Sequence, residues 1–279
     1  MGKFDGILIC TDLDGTLLRR NKSVSEENLK AIEYFKSEGG LFTFVTGRVP
    51  DIVYEIYNTV KPNIPFGCIN GGGIFDGEKN EYIWKMGADE SIINLVETVD
   101  INIPDAAILV HTFDKTYFCK ENDITEWYIK IVKPTYYSKH YREVNEEVAK
   151  VVFGFNNEEI CIKLEKILKD HPSADKFDFV RSEKRLYEVL PKGSGKGRSI
   201  EKLAEIYSIK NTVAIGDFYN DIPMFESAKV AVAVSNACDE AKRRADYVTV
   251  SNEEDAIAQV IYDIENGKIG FDGNEDKNV

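Results

Sequence analysis

The chain has 279 residues, 43% hydrophobic and 30% charged, which is enough apolar material for a large core and gives no compositional case for disorder, a collagen-like repeat or a disulfide framework. Thirty-five basic residues against 48 acidic ones leave a formal charge of −13, a field that repels phosphate backbones and anionic headgroups, so nucleic acid and membrane surfaces are not expected partners. The longest apolar runs, such as Gly6 to Cys10 and Val230 to Val234, fall far short of the ~20 residues that span a bilayer.

The opening Met1-Gly2-Lys3-Phe4-Asp5 has no signal-peptide core, and cytoplasmic residence is the expectation. The five cysteines, Cys10, Cys68, Cys119, Cys161 and Cys238, are odd in number and widely spaced, which predicts reduced thiols rather than disulfides or a thiolate zinc site.

In chain order, apolar runs and amphipathic stretches alternate at the start. Strands are predicted at Gly6 to Cys10, Leu41 to Thr46 and Pro65 to Ile69, with helices over Ser25 to Ser37 and Asp51 to Thr59 between them. Ser23 or Ser25 can cap the first helix, Leu29, Ile32 and Phe35 lie at helical spacing, and Gly39-Gly40 stops it. This βαβαβ grammar implies a parallel sheet covered on both faces.

The middle of the chain differs. Ala106 to His111 and Lys115 to Cys119 flank a turn at Phe113 to Thr116 and read as an antiparallel hairpin. Further strands are expected at Lys150 to Phe155, Phe177 to Arg181 and Leu186 to Leu190, with helices over Ser91 to Val99, Asp123 to Val132 and Glu158 to Lys169. The alternating grammar then resumes: helix Gly195 to Tyr207, strand Thr212 to Ile215, helix Asp221 to Ser227, strand Val230 to Val234, and helices Asp239 to Arg244 and Asn252 to Ile264. Gly270 to Val279 is polar and acidic and reads as a frayed tail. The expected fold is α/β, a Rossmann-like doubly wound parallel sheet core built from residues 1–83 and 188–279, with an α+β domain inserted over 84–187.

Chemistry concentrates at strand ends. Thr11-Asp12-Leu13-Asp14-Gly15-Thr16 follows the first strand. Residues i and i+2 of an extended segment point the same way, so Asp12 and Asp14 project from the carboxyl end, where open α/β sheets bind ligands. Two adjacent carboxylates repel, and a hard divalent cation is the usual remedy; in an acid-rich chain a solvated turn is the competing reading. A second acidic end, Gly216-Asp217-Phe218-Tyr219-Asn220-Asp221, can converge with the first on one metal, while Asp221 can also cap the helix beginning near Ile222-Pro223. Thr46-Gly47-Arg48 offers a hydroxyl and a guanidinium before a helix, and Lys196 stands among glycines at the start of another. The latter segment is not a P-loop, because Leu190 and Gly197 occupy positions that need Gly and Ser or Thr, and no G-x-G-x-x-G follows a strand.

Taken together, Asp12-Leu13-Asp14-Gly15-Thr16-Leu17-Leu18, Thr46-Gly47-Arg48, Lys196-Gly197 and Gly216-Asp217 through Met224 resemble the four motifs of the haloacid dehalogenase superfamily, in its Cof-like subgroup with a large cap between the second and third motifs. Asn70-Gly71-Gly72, Ser235-Asn236-Ala237 and Ala245 to Thr249 match patterns common there. Gly195 stands where Ser often precedes the lysine, and Ala256 where Gly is frequent. The resemblance implies an Mg²⁺-dependent phosphatase acting on a small phosphorylated metabolite, a sugar phosphate or a phosphorylated cofactor or nucleotide. In it Asp12 would be the nucleophile and Asp14 the general acid/base. Asp12, the Asp14 carbonyl and Asp217 would hold Mg²⁺, with Asp221 beside them, and Thr46, Gly47, Arg48, Lys196 and Asn220 would contact substrate. A phosphomutase or phosphotransferase on the same scaffold is the alternative; a non-catalytic phosphometabolite-binding protein fits less well, since a pure binder needs no nucleophile and acid pair. Tyr128, Tyr136, Tyr137, His140, Tyr141, Arg142, Arg181, Lys184 and Arg185 could clasp a substrate, but rings mostly build cores and loop cations are mostly solvated, so none is counted as a site residue.

Overall fold

The computed structural model describes residues 2–271. The first strand, β1 (Ile7–Thr11), is buried at every residue, as a strand covered on both faces must be. Of the two candidate caps it is Ser25 that accepts the Asn28 amide and opens helix α1 (Glu26–Ser37). β2 (Leu41–Phe44) and α2 (Pro50–Val60) follow. The expected third parallel strand is instead β3 (Phe66–Cys68), paired antiparallel with β4 (Gly73–Asp76), which neighbours β5 (Glu81–Lys85). One parallel bridge, Val45 to Gly67, relates β3 to the continuation of β2. The cause is local: Ile69, Asn70 and Gly71 all have positive φ and turn the chain straight back on itself.

The middle segment runs α3 (Ile92–Asn102), β6 (Ala107–Thr112), β7 (Thr116–Lys120), α4 (Asp123–Val132), β8 (Tyr137–Ser138), β9 (Val148–Gly154), α5 (Glu158–Asp170), β10 (Phe177–Glu183) and β11 (Leu186–Pro191). The hairpin between β6 and β7 is tied by the Thr112 hydroxyl, which accepts the amides of Asp114 and Lys115. These strands form one sheet, ordered β10-β11-β9-β6-β7-β8. Leu95, Val96 and Val99 of α3 and Leu164 and Leu168 of α5 share a core with Val110, Val151, Phe153 and Val189. On alternate strand positions Ala107, Leu109, Val152 and Leu186 pack with Ile124 and Tyr128 of α4. The period-2 alternation of the strands thus feeds two apolar layers.

The last third gives α6 (Lys196–Tyr207), β12 (Asn211–Gly216), α7 (Ile222–Ser227), β13 (Val230–Ala233), α8 (Asp239–Arg244), β14 (Tyr247–Val248) and α9 (Ala256–Glu265). α9 starts four residues after the expected Asn252, because Asn252 is spent on a bond to the Leu18 carbonyl and Asp255 is left-handed. The main sheet is wholly parallel, ordered β14-β13-β12-β1-β2. From its centre, β1 leads to β2 on one side and β12 to β13 on the other, so right-handed crossovers put α1 and α7 on opposite faces. This is the doubly wound α/β core with an inserted α+β domain. β4, β5, β8 and β14 lie outside the predicted strands: β8 and β14 are exposed two-residue pieces, and β5 alternates only between exposed and half-buried residues.

Two compact units result. Of the described residues, one holds 2–47, Tyr54–Trp84 and 195–271; the other holds Arg48–Val53 and Lys85–Ser194. None of the five cysteines is in a disulfide, and no described helix is long and apolar enough to cross a membrane. Most of the expected tail, 272–279, lies outside the described residues.

Candidate active site

β1 and β12 are in-register neighbours, Thr11 opposite Ile215, and the Asp12 amide extends the ladder by donating to the Ile215 carbonyl at 2.8 Å. The chain leaves these two strands in opposite directions across the sheet. Their carboxyl ends therefore border the crevice that open α/β sheets use for ligands, and Asp12 and Asp217 stand there as the next residues of their chains. Carboxylate oxygens of Asp12, Asp217 and Asp221 lie within 4.8 Å of one another. The Lys196 ammonium, 1% exposed, donates to Asp12 Oδ1 and to Asp221 Oδ1, each at 2.6 Å.

Asp221 is fully buried, and its side chain does not cap α7. Its Oδ2 accepts instead the amides of Asp217 at 2.7 Å and Phe218 at 3.0 Å, so one carboxylate fixes both the loop that carries Asp217 and the lysine that faces Asp12. Gly216 makes room for this, since a Cβ there would lie 2.6 Å from the Asp221 side chain. Gly15 is needed twice over: its φ is +83°, and a Cβ would come within 2.4 Å of Asp217 Oδ2. The Thr16 hydroxyl donates to Asp217 Oδ1 at 3.3 Å, and Asn236 Nδ2 holds the Gly15 carbonyl at 2.8 Å.

Three carboxylates meet here and the Lys196 ammonium bonds two of them, and the electrostatics reflect the excess. Burial, with the neighbouring acids Asp221 and Asp14 and against the pull of Lys196, pushes the Asp12 carboxyl up to about 7. Burial and the charges of Asp221 and Asp12 drive Asp217 well above the usual carboxylate range. Burial opposes the charge on Lys196, but Asp12 and Asp221 outweigh it and hold the ammonium above its ordinary range. All-oxygen donors with surplus negative charge, beside a glycine whose missing Cβ leaves space at Asp217, fit a hard divalent cation.

The other predicted residues are placed as follows. The Asp14 carboxylate lies outside the three-acid cluster and pairs with the Lys22 ammonium at 2.6 Å, because Gly15 turns the chain immediately after it. Thr46 is buried; its amide donates to the Gly67 carbonyl and its own carbonyl accepts from the Asn70 amide, both at 3.0 Å. Gly47 ends its segment of the first unit, and Arg48 opens the segment that groups with the second. Asn220 directs its carboxamide to Asn70 Oδ1 at 3.2 Å. Lys22 carries no sequence signal of its own, since its partnership depends on how the loop after β1 reverses, whereas Asn236 stands in a pattern common to the resembled subgroup without its role being legible there. In the second unit Tyr128 and Tyr141 are core residues, and Arg142 and Arg181 pair with Glu97 and Glu158.

A sequence model described as haloacid dehalogenase-like hydrolase matches residues 9–261. A 5-amino-6-(5-phospho-D-ribitylamino)uracil phosphatase of Bacillus subtilis is 31% identical, over 93% of this chain and 98% of its own. Among solved structures, a haloacid dehalogenase-like hydrolase from Bacteroides thetaiotaomicron superposes with a TM-score of 0.79 at 26% identity, covering 94% of this chain and 99% of that one. A subclass IIB sugar phosphatase shares the fold, with a TM-score of 0.81 at 23% identity and the same coverage. With three strand-end motifs and a helix-start lysine in place around an acid cluster, the chain belongs to the haloacid dehalogenase-like hydrolase family, has the fold of its subclass IIB, and is a phosphoric monoester hydrolase.

Proposed function

We propose that the protein is an Mg²⁺-dependent phosphatase that hydrolyses a small phosphorylated metabolite, a sugar phosphate or a phosphorylated cofactor or nucleotide, through an aspartyl phosphate on Asp12. The observation that carries this reading is the Lys196 ammonium bridging Asp12 and Asp221 beside Asp217. A carboxylate that must meet a phosphate dianion needs fixed positive charge at that place. Asp12, Asp217 and the Asp14 carbonyl would hold the ion, which when bound supplies Lewis-acid polarisation of a phosphoryl oxygen and shields the nucleophile. Asp221 already accepts three hydrogen bonds and acts by holding Lys196 and the Asp217 loop.

Asp12 attacks phosphorus in line, the bond to the leaving oxygen breaks, and Asp14, protonated, delivers its proton to that oxygen. Thr46 donates to a phosphoryl oxygen while Lys196 balances the charge gathering around Asp12. Asp14 then takes a proton from water, whose oxygen attacks the same phosphorus and frees Asp12 and inorganic phosphate.

The test uses p-nitrophenyl phosphate, a substrate whose leaving group needs little protonation. EDTA should stop turnover without unfolding the chain, and Mg²⁺ should restore it. Asp14→Asn should release a burst of nitrophenol and stall with one phosphoryl group on Asp12, since general acid–base help is worth ~10²–10⁴-fold. Label found elsewhere, or a burst from Asp12→Asn, sinks the assignment of the nucleophile. Phosphoryl passed to a sugar hydroxyl instead of water would mark a transferase.

A further inference from the structure

Thr46 follows β2, Lys196 opens α6 and Asn220 follows β12, and one turn touches Thr46, Asn220 and Gly195, the residue before the lysine. Its residues Ile69, Asn70 and Gly71 have φ of 55°, 50° and 88°, three successive left-handed residues of which the first is β-branched. Such backbone costs of the order of 1–3 kcal/mol per non-glycine residue and persists only where its surroundings over-determine it. Here they do. The Asn70 amide donates to the Thr46 carbonyl at 3.0 Å, and the Asn70 carboxamide, 1% exposed, accepts from Asn220 Nδ2 at 3.2 Å. Gly47 has no Cβ to hold that carboxamide off: one would sit 3.0 Å from both of its polar atoms. Gly71 presses bare backbone against the residue before the lysine, since a Cβ on it would lie 1.7 Å from the Gly195 carbonyl oxygen.

We propose that Asn70 is a positioning residue for phosphoryl transfer: presented by the left-handed turn, its backbone amide holds the Thr46 carbonyl while its carboxamide, packed on Gly47, binds Asn220, and Gly71 beside it seats the start of α6 and with it Lys196. Asp221 follows Asn220 directly and holds Lys196, so the phosphate-handling groups are registered against one another through this turn as well as through the sheet. The proposal rests on the reading of Thr46, Lys196 and Asp221 given above. A displacement of about 1 Å between reacting groups is enough to cost on the order of 10²-fold in rate.

Glycine and alanine separate the side chain from the backbone. Asn70→Gly keeps left-handed geometry open and removes the carboxamide; Asn70→Ala removes the carboxamide and strains the turn. With p-nitrophenyl phosphate and Mg²⁺, both should lose about 10- to 100-fold in kcat while KM changes far less. Both should melt below the parent protein, since both lose the buried bond to Asn220, and Asn70→Ala by more because it also strains the turn. Asn220→Ala should fall in the same range, and the Asn70→Gly/Asn220→Ala double variant should be no slower than the slower single one, because both remove one interaction. Parental kcat in Asn70→Gly, with damage confined to the melting temperatures of the two variants, would overturn the proposal, as would strictly multiplicative losses in the double variant. Asp12→Asn run alongside tells the two failures apart. If it is inert and Asn70→Gly is fully active, the positioning role alone falls; if it turns over normally, the reading beneath it falls too.

Discussion

Lys196 is the residue on which most of the site's electrostatics depends. It is the cation bonded to both Asp12 and Asp221, and all three side chains are buried. Removing one partner of a buried pair leaves the other charge uncompensated, at a cost of about 3–5 kcal/mol. Lys196→Met should therefore abolish turnover and also lower the urea midpoint, and added Mg²⁺ should recover part of the midpoint by placing a cation in the same cluster. An unchanged midpoint would mean that the three acids do not feel the lysine as the geometry says they must. Most of this was legible in the chain: Asp12, Asp217, Asp221 and Lys196 all arrive where their strand ends and helix start imply. Asp14, read as projecting beside Asp12 and offering its carbonyl to the ion, has its carboxylate paired with Lys22, a partner that no spacing rule names because the reversal of the loop at Gly15 supplies it.

Elements are held by small, specific devices. Gly15 lets the loop after β1 pass over Asp217; with φ at +83° and Asp217 Oδ2 at 2.4 Å from any Cβ, Gly15→Ala should keep the fold and lose at least about 100-fold in kcat. Circular dichroism with steady-state kinetics checks both halves, and a parental rate would refute it. In the second unit, the Tyr117 hydroxyl, helped by Lys115 and Lys139, holds the Glu146 carboxyl down at about 2 against an ordinary 4.5. A depressed carboxyl stabilises above its unfolded value and loses that contribution as pH falls through the folded one. The Tm difference between the parent protein and Glu146→Gln should thus be constant above pH 4.5 and shrink between 4.5 and 2; a difference independent of pH would remove Glu146 from the account. Helix α4 was readable to the residue because Asn122 caps it and left-handed Lys133 ends it. The turn at 69–71 was not, because a β-branched isoleucine in left-handed backbone is what local propensity argues against, and tertiary contacts decide it.

At the scale of the molecule, the second unit has its own apolar core around Leu95, Val99, Phe153 and Leu164, and domains so built tolerate separation. A chain that joins Trp84 to Gly195 through a short flexible linker should retain the parallel sheet by circular dichroism, hydrolyse aryl phosphates slowly and lose discrimination among metabolites. Aggregation under every condition tried would show that the first unit is not independent. The pairing of β1 with β12, Ile7 opposite Asn211, has a further consequence for biosynthesis. A ribosome delivers β1 and α1 early, then every strand of the second unit, and only afterwards the partner on which β1 closes. Asp12 thus emerges first, while Lys196, Asp217, Asp221 and the Asn252 that grips Leu18 are all made last. The nascent chain can finish its insert while β1, apolar but for Thr11 and paired on one side with β2, still waits with its other edge open. That interval is the moment at which chaperone protection matters most for this protein, and its length is set by the number of residues inserted between the two halves of one sheet.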